Sequence, residues 1–88
     1  MYDTYMNYFV YILRCADDSL YTGITTDLKR RVEEHNGLAD GGAKYTAARR
    51  PVVMVYFKKC ADRSEAGKKE WRIKKLKRPA KELLINKQ

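Results

Sequence analysis

The sequence predicts an α+β fold, a small three-stranded sheet with helices packed against it. Three observations carry that prediction. Two short runs rich in β-branched and aromatic residues, Phe9 to Leu13 and Leu20 to Ile24, flank the turn-forming Ala16-Asp17-Asp18-Ser19 and read as a β-hairpin. A third apolar run of strand length, residues 52–57, follows Pro51. Between and after these runs the apolar period changes from two to that of a helix, which fixes where the strands must stop.

The leading segment, Met1 to Asn7, carries Tyr2 and Tyr5 without a clear period and is assigned no element. In the first strand Phe9, Tyr11 and Leu13 face one way and Tyr8, Val10, Ile12 and Arg14 the other, because successive side chains alternate. Opposed residues of an antiparallel pair keep a constant index sum. Tyr11 therefore lies opposite Tyr21 if the loop has an odd number of residues, such as 15–17 or 14–18, and an even loop separates the phenols. Gly23 follows Tyr21 by two, on the same side, where its missing side chain leaves room for a ligand or another backbone.

From Thr26 onward Leu28, Arg31, Val32 and His35 recur at helical spacing, with Thr25, Thr26 and Asp27 as cap candidates and Gly37 placed to close the helix in the left-handed conformation. An arginine and the chain's one histidine thus share the stripe that Leu28 and Val32 mark as inward-facing. A buried charge without a partner is costly, so something must answer it. Residues 36–51 are rich in Gly and Ala, lack periodicity and read as a mobile loop. Its Lys44, Tyr45, Arg49 and Arg50 combine cations with an aromatic ring, a composition suited to tracking phosphates and stacking a base.

The run 52–57 is continuous rather than alternating, the pattern of a strand covered on both faces. Its exit echoes that of the first strand, Tyr11 to Ser19 against Tyr56 to Ser64, a shared way of leaving a strand. Asp62 and Glu65 form a variant capping box opening a helix through about Lys77. Its inward stripe is Ala66, Lys69 or Glu70, Ile73 and Leu76, which makes Glu70 an anomalous acid. Lys68, Lys69, Arg72, Lys74, Lys75, Lys77 and Arg78 give this segment the densest positive charge of the chain. Pro79, at a favoured first helical position, then begins a short closing helix with Leu83, Leu84 and Ile85 to pack on the sheet.

Composition narrows the function classes. Eighty-eight residues suffice for one domain, core about 8–85, that buries roughly two thirds of its unfolded surface. A cofactor-sized interior is not expected. Nineteen Lys and Arg against eleven Asp and Glu give a formal charge of +8, the footprint of a polyanion-binding protein. No apolar run approaches the roughly 18 residues of a membrane span, and the first residues have neither the cationic start nor the apolar stretch of a secretory signal, so a cytoplasmic protein is expected. Cys15 and Cys60, far apart and with a single histidine, supply no structural zinc site and read as reduced thiols near strand ends.

The residues out of place on inward faces are Tyr11, Tyr21, Arg31, His35 and Glu70. Each has an ordinary structural role open to it; Arg31 and Glu70, for example, could pair with each other. Together they form a kit for phosphodiester hydrolysis. A carboxylate can hold one divalent cation whose other positions go to water and phosphate. Arginine can clamp phosphate oxygens and stabilise transition-state charge, and a tyrosine or histidine can relay the proton of an attacking water. A phenol of ordinary pKa about 10 is only about one part in a thousand ionised at pH 7, so a cation must lower it or its proton must pass onward. Arg30 competes with Arg31 for the phosphate role if the helix rotates by one residue.

Phe9-Val10-Tyr11, Tyr21-Thr22-Gly23 ten residues later, then Leu28, Arg31 and His35, with Glu70 followed by Ile73 and Lys74, resemble the core of the GIY-YIG nuclease family over nearly the whole chain. Phe9 stands where the first motif has its glycine, Thr22 is in the middle of the second, and Ile24 takes a position that carries lysine in the repair branch. The resemblance implies a three-stranded antiparallel sheet flanked by helices, and Mg²⁺- or Mn²⁺-dependent cleavage of one DNA strand at a time, as in repair or recombination. It implies Tyr11 and Tyr21 in water activation, Arg31 on the phosphate, His35 in proton relay and Glu70 on the metal. The leading expectation is a structure-selective or weakly selective nicking endonuclease whose own basic surface, with Lys44, Tyr45, Arg49, Arg50 and Lys74, supplies affinity. The alternative is a nucleic-acid-binding module of the same fold that cleaves little and acts with a partner protein. DNA against RNA, and the oligomeric state, stay open.

Overall fold

Everything is arranged about the first strand. The computed structural model describes residues 7–88; the first six, with Tyr2 and Tyr5, lie outside the described residues. The elements run β1 (Tyr8–Arg14), β2 (Leu20–Thr25), α1 (Leu28–His35), α2 (Lys44–Ala47), β3 (Val53–Cys60), α3 (Arg63–Lys75) and α4 (Arg78–Asn86), and the antiparallel sheet has the order β2-β1-β3. β1 is the central strand, and Val10, Tyr11, Ile12 and Leu13 are all buried because both faces of the sheet are covered there. Val10 and Ile12 pack with Cys60, Ala66 and Ile73 on the α3 side, while Tyr11 and Leu13 pack with Cys15 and Val52, joined by Leu28 and Val32 of α1. Full burial of such side chains contributes roughly 1.5–3 kcal/mol each, which makes β1 the anchor for both layers.

The hairpin closes through Cys15 to Ser19. Asp18 takes φ +70°, a conformation Asp tolerates, and Asp17 Oδ1 accepts from the Ser19 backbone N–H and hydroxyl. The loop is odd, so Tyr11 and Tyr21 do share a face, but the register pairs Tyr11 with Gly23 and Leu13 with Tyr21. The direct opposition of the two phenols expected for a loop of 15–17 or 14–18 is therefore corrected to a diagonal, because the loop is 15–19.

The reading of β3 as a strand covered on both faces is also corrected. It lies at the sheet edge, with Val53 and Phe57 substantially exposed. A register irregularity opposite Ile12 and Leu13, together with Lys58 and Lys59, blunts that edge against further pairing. The continuous apolar run thus matched the burial of β1 and not that of β3.

Asp27 caps α1 by accepting from the Arg30 N–H, and Gly37 takes φ +80° beyond its end. The variant capping box of α3 is present, with Asp62 accepting from Glu65 N–H and Glu65 from Ala61 N–H. α3 ends at Lys75, short of Lys77, and Leu76 beyond it is exposed rather than part of the buried stripe. Pro79 is the second residue of α4. That helix packs Leu84 and Ile85 on the core and is tied down by Glu82, which bonds Arg14 in a fork at 2.7 and 3.0 Å. Both cysteines are buried free thiols.

Candidate active site

Gly23 makes the site possible. A Cβ at that position would stand 2.5 Å from the Tyr11 hydroxyl and 2.7 Å from its ring carbon, so the bare β2 backbone is what lets the Tyr11 phenol lie across the neighbouring strand. The open side expected at Gly23 is thus filled from within the protein. The phenol reaches the C-terminal end of α1, where His35 is fully buried.

A directed chain of hydrogen bonds follows. The Thr46 hydroxyl donates to the Ala43 carbonyl at 3.1 Å, so its oxygen is left to accept from His35 Nδ1–H at 2.7 Å. With that proton on Nδ1, Nε2 is the acceptor, and the Tyr11 O–H donates to it at 2.9 Å. Arg31 Nε–H donates in turn to the Tyr11 oxygen at 3.4 Å. The Arg31 guanidinium is held by Glu34 and the Gly41 carbonyl, both 2.6 Å from Nη1, and among the described residues no partner occupies Nη2. Arg30 is more exposed and pairs with Glu34 at 3.4 Å, so it is Arg31 that meets Tyr11.

Burial sets the protonation states. It pushes the Tyr11 phenol up to about 12, against the lowering effect of Arg31, with the negative potential of Tyr21 and Glu70 adding to the rise. Burial likewise pushes His35 down to about 4, helped by the charges of Arg31 and Arg50 and opposed by Glu34. A charged His35 answering the helix dipole, the ordinary account of a histidine in this position, does not describe the structure. The resting pair is a neutral phenol on a neutral imidazole.

The expected mobile loop 36–51 instead contains the helical turn α2, and side chains close it. Asn36 bonds both the N–H and the carbonyl of Val52, and Arg50 Nε donates to the His35 carbonyl at 2.7 Å. α2 brings Tyr45 to stack on Tyr21 with centroids 5.7 Å apart, and the Arg49 guanidinium lies over the Tyr45 ring, 3.9 Å from its centroid. Tyr21 meets the His35 ring edge-on at 5.1 Å. Tyr45 and Arg49 thus stand beside Tyr21 at the site, Arg50 is engaged on the His35 carbonyl, and Lys44 is exposed on α2.

Glu70 and Lys74 come from the other layer. The Glu70 carboxylate pairs with Lys74 at 3.1 Å rather than with Arg31, and it takes no part in the Tyr11–His35–Thr46 chain. Among the described residues no group of three or more His, Cys, Asp or Glu is placed to hold a metal. Glu70 is a single, partly exposed carboxylate paired with the exposed Lys74, a chemistry that fits one hard divalent cation with oxygen ligands from elsewhere. A groove lined by Thr25, Thr26, Arg30, Arg31, Glu34 and Arg63 runs beside Arg31. Thr46, Glu34 and Arg63 had no signal in the sequence beyond lying near residues that did.

A three-stranded sheet carrying two tyrosines, with an arginine and a histidine on the helix that follows the hairpin, defines a nuclease-type α+β domain. The GIY-YIG catalytic domain matches residues 7–83. A UPF0213 protein of Desulfotalea psychrophila is 55% identical over 78 residues, covering 89% of this chain and 70% of its own, and one of Halobacterium salinarum is 49% identical, covering 86% and 96%. The solution NMR structure of a UPF0213 protein from Bacillus halodurans superposes with a TM-score of 0.59 at 44% identity, covering 92% of this chain and 84% of that one. An E. faecalis protein solved by NMR gives 0.60 at 42%, covering 93% and 86%. The chain belongs to the GIY-YIG family and groups with its small UPF0213 proteins. That membership carries a nuclease-type function on nucleic acid and, for the family in general, the use of divalent metals. No helix of the described residues is long and apolar enough to cross a membrane.

Proposed function

We propose that the protein is a divalent-metal-dependent endonuclease that nicks DNA, with Tyr11 as the group that takes the proton of the attacking water and His35 as the group that receives the proton of Tyr11. The observation that carries this is the directed chain from Arg31 through Tyr11 and His35 to Thr46. The gap between a phenol at about 12 and an imidazole at about 4 puts full transfer to His35 on the order of 10 kcal/mol uphill in the resting site. A free tyrosinate is therefore not the resting base. Tyr11 acts only as its own proton leaves for Nε2, in one motion with the water proton arriving, so neither ion accumulates.

Substrate makes that motion easier. A phosphate oxygen on Arg31 Nη2 brings negative charge beside the cation that suppresses protonation of His35. The same guanidinium stabilises the added charge of the transition state, and Tyr21 packs edge-on against the imidazole. Glu70 would hold Mg²⁺ or Mn²⁺, which supplies Lewis-acid stabilisation of the phosphate and leaving oxygen. Arg30 and Arg63 line the groove beside Arg31, and with Lys44 and the Tyr45–Arg49 pair they supply phosphate and base contacts. Lys74 neutralises the Glu70 carboxylate at 3.1 Å, a place the cation would take when bound.

The test is nicking of supercoiled and branched DNA with Mg²⁺ or Mn²⁺, comparing the wild type with Glu70→Ala and with chelator, and binding measured on the same samples. Metal-dependent nicking lost in Glu70→Ala with binding retained supports the assignment. Salt-sensitive binding with no cleavage under either metal would replace it with the binding-module reading.

A further inference from the structure

Trp71 is the chain's one tryptophan and it is left 62% exposed, an uncommon fate for the largest apolar side chain. It stands at the middle of α3, beside Glu70 in sequence but turned away from the core that Ala66 and Ile73 occupy. Lys75 Nζ lies 4.6 Å from the ring centroid. Ser64, Gly67, Lys68 and Arg72 complete a shallow depression with the indole as one wall. Among the described residues, none of Lys68, Arg72 and Lys75 is in an ion pair, although Glu70, Lys74, Arg78 and Glu82 nearby all are. The patch is therefore an aromatic ring among cations that are in no ion pair, with Asp62 and Glu65 lining the adjoining depression that Lys68 and Arg72 share.

Gly67 adds an independent observation. A glycine inside a helix costs about 1 kcal/mol relative to alanine, and that cost usually answers a close approach by some other part of the fold. Here nothing lies within 4 Å of the position its Cβ would take, so no packing within the chain calls for it. One turn before Trp71, the bare backbone instead leaves a flat floor beside the indole, a slot for a planar group.

We propose that Trp71, with Lys68, Arg72 and Lys75 around it, is a stacking platform for an unpaired base of a single-stranded DNA segment, the cations taking the flanking phosphates. The charge complementarity selects a polyanion and the exposed indole selects one with flat faces to offer; a paired duplex buries those faces. Glu70 is the adjacent residue of the same helix, about 100° round its axis, so a strand seated on the platform reaches the proposed metal ligand by crossing the helix. Substrates with a single-stranded or branched segment are then favoured over intact duplex. The proposal rests on the reading that the chain acts on nucleic acid, but it does not depend on cleavage.

Trp71 is its own reporter. Its emission is followed in chelator, so that nothing is cut, during titration with a single-stranded DNA oligonucleotide, the matching duplex, a single-stranded RNA and inorganic polyphosphate. Anisotropy of labelled DNA is recorded in parallel for the wild type, Trp71→Ala and Trp71→Phe. The expected result is saturable quenching by single-stranded DNA, little by duplex and none by polyphosphate. Affinity for the single strand should fall about tenfold in Trp71→Ala and recover largely in Trp71→Phe, since a phenyl ring still stacks. Salt-sensitive DNA binding without quenching, or with Trp71→Ala within twofold of the wild type, overturns the platform and leaves the nuclease reading standing. Absence of any DNA binding overturns both. Quenching by RNA alone overturns the choice of DNA. A protein-concentration-dependent shift of Trp71 emission with doubled mass in sedimentation assigns the face to a second copy of the chain, which also overturns the proposal. Trp71 is exposed, so its variants keep the fold, and circular dichroism verifies this.

Discussion

Replacing Thr46 by valine keeps the side chain's shape and deletes one hydroxyl, and the structure fixes what that must do. Thr46 is fully buried, and its oxygen is the acceptor for His35 Nδ1–H at 2.7 Å while its proton goes to the Ala43 carbonyl at 3.1 Å. Valine leaves the buried His35 Nδ1–H without a partner, while the Ala43 carbonyl keeps the Ala47 N–H at 3.1 Å, and the orphaned donor costs about 2 kcal/mol in stability. Part of that cost is avoidable by moving the imidazole proton to Nε2, but then Nε2 has no lone pair for the Tyr11 O–H. The proposed relay fails by that route, with nicking down about 10²-fold or more. Thr46→Ser retains the hydroxyl and should stay within a few-fold of the wild type. Urea denaturation gives the stability, ¹⁵N NMR of the His35 ring reads the tautomer directly, and single-turnover nicking gives the rate. A Thr46→Val protein that is as stable as the wild type, keeps Nδ1–H and nicks normally would refute the directed chain.

Gly23→Ala should destabilise by about 1–3 kcal/mol, because the added Cβ meets a phenol that His35 and Arg31 both hold; a melting temperature unchanged from the wild type would count against the close approach. Acid should weaken the fold through His35. Its ordinary value of 6.5 in the unfolded chain falls to about 4 in the folded one, so this contribution is fully present above pH 6.5. As pH falls from 6.5 to about 4 the unfolded chain takes up the proton first, and up to about 3 kcal/mol is lost. His35→Gln should flatten that window in a pH series of denaturation midpoints. Arg31→Lys keeps the charge but cannot bond Tyr11, Glu34, Gly41 and a phosphate together, so single-turnover nicking should fall about 10²-fold with DNA binding nearly unchanged.

Where the sequence erred, a neighbour it could not name was responsible. The apolar run of β3 resembled that of β1, yet one strand is at the edge and the other in the centre, and strand order is a matter of which surfaces meet. The stretch 36–51 had no period because its order comes from Asn36 on Val52 and Arg50 on the His35 carbonyl, bonds between residues 15 and 16 positions apart. Thr46 sat unnoticed one residue from Tyr45 for the same reason.

What the sequence determined by itself is what local chemistry and period control. The hairpin, the capped helix with Arg31 and His35 on its inward stripe, the capping box at Asp62 and the positive charge of α3 all depend on residues within one or two turns of each other. The tertiary structure alone decided the register that puts Tyr11 over Gly23, the partner that fixes the His35 proton, and the protonation states of the pair. It also left Trp71 uncovered on a helix whose other face is buried. Register and burial are properties of two surfaces in contact, and a pKa reports how much water that contact has removed.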